Sequence, residues 1–99
     1  MIEIKDLNIT FDFPEKVSVK DTLRFHAFWA QTNGDDMVFV KRWEFVNELG
    51  LIKDWKCEYY PDPKQPLEEV EDPRIATAVI EALMHVYTFV TGRRNTEKK

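Results

Sequence analysis

Ninety-nine residues, 43% of them hydrophobic and 13% aromatic, suffice for one folded domain and exclude wholesale disorder. A formal net charge of −4 disfavours nucleic acid, whose phosphates call for a basic face. No apolar run reaches the ~18 residues of a membrane span, and no charged-then-apolar leader opens the chain. The single cysteine, Cys57, excludes an intramolecular disulfide and fits a reducing, cytoplasmic setting.

The chain opens on apolar–polar alternation, as in a half-buried strand. Its phase slips once: Ile2 and Ile4 are even positions, whereas Leu7, Ile9, Phe11 and Phe13 are odd. With a side-chain period of two, the slip around Lys5 and Asp6 implies a bulge, a turn or an irregular lead-in. Pro14 ends the strand. Ser18, followed three residues on by Asp21, resembles a capping box and predicts a helix over 19–33 that stops at Gly34. Val19, Leu23, His26, Ala27 and Ala30 form its main apolar stripe, with Trp29 alongside. Phe25 and Phe28 fall outside that stripe, either packed under another element or open to a partner.

Asp35 or Asp36 can cap a second helix over 37–49, with Phe39, Trp43 and Val46 centring its buried face. Gly50 at C′ and Leu51 at C″, within reach of Val46, are the signature of a Schellman turn. Residues 52–60 read as a strand with Trp55, Cys57 and Tyr59 on one side and Asp54, Lys56 and Glu58 on the other. A lone strand leaves its backbone unpaired, so this one pairs with the N-terminal strand or with a strand of another subunit. Pro61, Pro63 and Pro66 make the next stretch an extended connector anchored by Leu67 and Val70.

Asp72 as N-cap, Pro73 at the first helical position and Gly92 as C′ bound the longest helix. Arg74, Thr77, Glu81, His85 and Thr88 form its only polar stripe. Ile75, Val79, Leu83, Val86 and Val90 suit the core, Ala78, Ala82 and Phe89 lie on one flank, and Ile80, Met84 and Tyr87 on the other. A surface helix of a small domain is normally apolar over a narrower arc. The cations Arg93, Arg94, Lys98 and Lys99 beyond it complement the negative end of the helix dipole.

Candidate chemistry is sparse. Glu81 and His85, at i and i+4, read as a surface pair, because no third group is near in sequence. His26, on its apolar stripe, reads as a hydrogen-bonded core histidine, and Cys57 as a small buried hydrophobe. Neither paired metal ligands nor a glycine-rich phosphate loop is present. The expectation is a protein that is not an enzyme and needs no cofactor or metal.

From Val17 onward the layout resembles small phage and prophage tail proteins, tail assembly chaperones in particular. The resemblance lies in the entry Pro14-Glu15-Lys16-Val17-Ser18-Val19 and in the Arg42-Trp43 helix that leads to Leu51-Ile52-Lys53-Asp54-Trp55. The proline–acid linker before a terminal apolar helix completes it. It implies a cytoplasmic, cofactor-free helper that binds an elongated, aggregation-prone phage protein such as the tape measure. The N-terminal strand is the part that departs from the pattern.

The fold expected is α+β, three helices with a two-stranded antiparallel sheet made by the N-terminal strand and the Trp55 strand. One domain spans 1–94, and 95–99 form a frayed basic tail. The candidate interface, toward a protein partner or a second copy, is Ile80, Met84 and Tyr87, then Phe25 and Phe28. The alternative is a small-molecule domain with an aromatic pocket around Trp43, Trp55 and Tyr59.

Overall fold

A computed structural model describes residues 1–92. In chain order these form β1 (Ile2–Ile4), a 3-10 turn (Lys5–Leu7), β2 (Ile9–Asp12), α1 (Val19–Thr32), α2 (Val38–Glu48) and β3 (Lys53–Lys56). A second 3-10 turn (Leu67–Glu69) and α3 (Pro73–Thr91) follow. The tail expected at 95–99 lies outside the described residues, as do Arg93 and Arg94.

The sheet has three antiparallel strands in the order β1-β2-β3, not two. The N-terminal alternation is a hairpin rather than one strand. Its phase slip is the 3-10 turn, closed by Asn8 in the left-handed region at φ 53°, and Ile2 pairs with Phe11 and Ile4 with Ile9. Asparagine tolerates that conformation better than other non-glycine residues, so a tight turn fits where no glycine stands.

β3 pairs with β2 within the chain, Thr10 opposite Lys56 and Asp12 opposite Lys53. Two steps along β2 therefore match three along β3. The extra residue makes a bulge, and Asp54, at φ 53°, lies within it. The strand is accordingly shorter than the expected 52–60, and its alternation breaks: Cys57 is buried, Tyr59 is exposed and Tyr60 is 0% exposed.

The helix ends follow local chemistry. Ser18 Oγ accepts the Asp21 backbone N–H at 3.0 Å, but the Asp21 carboxylate turns to Arg24, so only half of a capping box forms. Asp35 accepts the Met37 N–H at 2.7 Å and Lys41 Nζ at 2.6 Å, and Asp72 accepts the Arg74 N–H at 3.0 Å. Gly50, at φ 72°, donates to Asn47 O while Leu51 donates to Val46 O, which completes the Schellman turn.

α3 packs against α1, α2 and β1. Its core face meets Phe11, Phe25, Trp43 and Val46 in one continuous apolar cluster. The Ala78–Ala82–Phe89 flank is covered from within: Ala78 and Ala82 are buried, and Phe89 stacks on Phe13 at 4.3 Å with the rings nearly parallel. Among the described residues, no helix is long and apolar enough to cross a membrane.

α1 turns the opposite way from the sequence reading. Phe25 is 0% exposed, whereas Val19 and Leu23 are 76% and 64% exposed, and His26, Ala27 and Ala30 are exposed with them. Both sides of this helix carry apolar residues, so periodicity alone is ambiguous. Aromatic rings hide far more apolar area than alanines do, and the face holding Phe25, Phe28 and Trp29 goes inward. His26 is thus a surface residue, not a core one.

Candidate protein-interaction groove

α3 presents its Ile80–Met84–Tyr87 flank to a groove of about 440 Å³ whose walls come from all three helices. α1 contributes Trp29, its C-cap residue Asn33 lies beside it, and α2 contributes Phe39 and Arg42. Met84 is 65% exposed and Phe39 is 43% exposed, while Ile80 and Tyr87 are half-buried. The three α3 candidates therefore share one concave surface, since i, i+4 and i+7 lie on one side of a helix.

The remaining interface candidates belong to the packing of the domain. Phe25 is wholly buried, stacked on Trp29 at 4.0 Å and 6.2 Å from the Tyr87 ring, so it has no surface to offer a partner. Phe28 is half-buried and stacks on Phe45 at 4.2 Å. Sequence reasoning missed Trp29, Phe39 and Arg42. Phe39 was expected at the centre of the buried face of α2. It sits instead in the first turn of α2, beside α3, with one side open. The usable signal was the i, i+3 spacing of Phe39 and Arg42, which puts an aromatic and a cation on one helix face.

Arg42 gives the groove its electrostatic character. Its Nε donates to Thr32 Oγ1 at 2.9 Å, its Nη2 donates to Trp29 O at 2.8 Å, and its guanidinium lies 4.6 Å from the Trp29 ring centre. Burial pushes its pKa down, as expected when a cation loses water. Among the described residues it makes no ion pair with a carboxylate.

The other aromatic group is closed. Trp43 Nε1 donates to Tyr60 Oη and to Pro63 O, each at 3.0 Å. Tyr60 Oη lies 2.6 Å from Gln65 O and 2.9 Å from Pro63 O, and Trp55 Nε1 donates to Tyr60 O at 2.7 Å. Burial is the first cause that raises the Tyr60 pKa. Trp43, Trp55 and Tyr60 thus clasp the proline connector to α2 and β3. Tyr59 points elsewhere, with the Arg74 guanidinium 4.7 Å from its ring centre. A groove of about 460 Å³ does pass Trp43, between α2 and the connector, but neither Trp55 nor Tyr59 lines it.

Glu81 and His85 face each other on α3 at 3.9 Å, Glu81 exposed and His85 half-buried. Cys57 is buried with 7% exposure. Among the described residues no three histidine, cysteine, aspartate or glutamate side chains cluster as metal ligands. No family model, curated protein or solved structure matches this chain.

Proposed function

We propose that this protein is a non-enzymatic interaction protein of the phage tail assembly chaperone kind, which shelters an apolar segment of a partner in the groove between its three helices. The observation that carries this reading is the groove itself. Met84 and Phe39 keep 65% and 43% of their surface in water, next to Ile80 and Tyr87, along one wide-open groove. Full burial of such a side chain contributes about 1.5–3 kcal/mol, and a partner segment would recover the share still exposed. Apolar concavities rimmed by polar groups are how proteins receive helical segments. The resemblance of the sequence layout to tail assembly chaperones is the ground for the class of partner proposed: an elongated, apolar tail protein.

The decisive experiment follows light scattering as a fragment of a tape-measure protein aggregates, with and without this protein. The wild type should suppress scattering near equimolar ratio, and Met84→Glu should not. Met84 is the better position for that substitution than Tyr87, whose ring also packs near Phe25 and Trp29. Equal scattering with wild type, Met84→Glu and no added protein would sink the reading.

A further inference from the structure

Among the described residues the groove contains one cation, Arg42, with N–H groups to spare, and this sets the chemistry of its occupant. A guanidinium has five N–H groups. Arg42 directs Nε and one Nη2 hydrogen at Thr32 Oγ1 and the Trp29 carbonyl, which fixes the plane of the fork against Trp29. Both acceptors are neutral, so the charge remains uncompensated by any carboxylate among the described residues. It stands among Trp29, Phe39, Ile80, Met84 and Tyr87, where desolvation already disfavours it. A held, half-dried guanidinium suits one carboxylate, through a charge-assisted and largely pre-paid geometry.

The surface continues past the Phe39–Ile80 ridge. Those two residues also border a second groove, of about 400 Å³, that runs beside Val70, Ala76 and Val79. Along α3, Ala76 to Thr88 is roughly 18 Å at 1.5 Å per residue, about the length of a twelve-residue helix. The far end of that track is lined by Glu68, Glu71 and Asp72. Arg74 pairs with Asp72, so the repulsion of a carboxylate there falls to Glu68 and Glu71, and Arg42 is the position where an acid is accepted.

We infer that the groove takes an apolar partner helix of about a dozen residues that carries one acidic side chain at the end of its stripe, placed against Arg42. This rests on the groove reading above and adds the charge of the ligand and its place at one end of the stripe. The probes are labelled helical peptides with a leucine stripe and an otherwise neutral alanine–glutamine surface. One carries Glu at the N-terminal end of the stripe, one carries Glu at the C-terminal end, and controls carry Gln or Lys there.

Fluorescence anisotropy with the full chain should show one Glu peptide binding roughly tenfold more tightly than its Gln control, and the Lys peptide more weakly. The gap should shrink as salt rises from 50 mM to 1 M. Arg42→Gln should erase the gap, and Arg42→Lys, which keeps the charge without the fork, should retain part of it. Circular dichroism melts check that each variant folds. If Arg42→Gln does not, the salt dependence and Arg42→Lys decide. Equal binding of Glu and Gln peptides, a gap indifferent to salt, or a gap that survives Arg42→Gln overturns the inference, as does binding by none of the peptides. If the peptides bind without charge preference and Met84→Glu abolishes binding, the groove stands and only its acidic specificity falls. Failure of the groove itself is judged separately by scattering with the tape-measure fragment.

Discussion

The molecule holds two aromatic clusters built from the same residue types in opposite states. Around Trp43, Trp55 and Tyr60 the rings meet at 5.3–6.4 Å and each N–H or O–H has a partner inside the domain. Around Trp29, Phe39 and Tyr87 the rings line a groove, a methionine is mostly exposed, and among the described residues Arg42 pairs with no carboxylate. The difference teaches that aromatic content alone does not mark a binding surface. The mark is what the polar donors do: those of the clasp are consumed within the domain, whereas Arg42 in the groove keeps N–H groups beyond its bonds to Thr32 and Trp29.

The widest separation between the two should appear on truncation. Trp43→Ala removes a ring that is 1% exposed, together with the N–H that Tyr60 Oη and Pro63 O accept, so about 3–5 kcal/mol of stability should go, read by urea unfolding. A loss below ~1 kcal/mol would show that the clasp does not hold the connector. Tyr60→Phe keeps the ring and deletes only the hydroxyl, which should cost about 1–3 kcal/mol through the partners left unsatisfied.

Gly50→Ala tests the turn that carries the chain out of the clasp helix. A Cβ there meets nothing within 4 Å, so the expected loss of about 1–2 kcal/mol is the left-handed backbone alone. In the groove, Met84→Glu should change stability by less than ~0.5 kcal/mol while removing partner binding. A large destabilisation there would mean that Met84 belongs to the core and the two clusters are not different in kind.

The smallest effect is electrostatic. Lys41 holds the Asp35 carboxyl below its ordinary value, and Arg74 does the same for Asp72. A depressed carboxylate pKa contributes stability that is complete above the unfolded value of about 3.9 and lost as pH falls through the lower folded one. Melting temperature should therefore fall on this account only below about pH 4, and Asp35→Asn should flatten part of that slope. A loss from these groups already present near pH 6 would contradict the pairing.

Of the candidate site, the Ile80–Met84–Tyr87 strip was legible because a nineteen-residue helix with one polar stripe has more apolar surface than a small domain can cover. The structure divides that surface: Phe13 covers the Phe89 flank, and the opposite flank borders the groove. Phe25 was misplaced because α1 is apolar on two sides, and ring size, not period, decides which side enters the core. Trp29, Phe39 and Arg42 come from two other helices, and no spacing along α3 could have named them.

Sequence alone determined where helices begin and end. Ser18, Asp72, Gly50 and Gly92 act on backbone groups a few residues away, and chemistry that local needs no tertiary context. Only the tertiary structure decided the third strand, the inward face of α1 and the groove beside Met84. Each depends on which surfaces meet across long stretches of chain, where burying the largest apolar area outweighs what any single segment prefers.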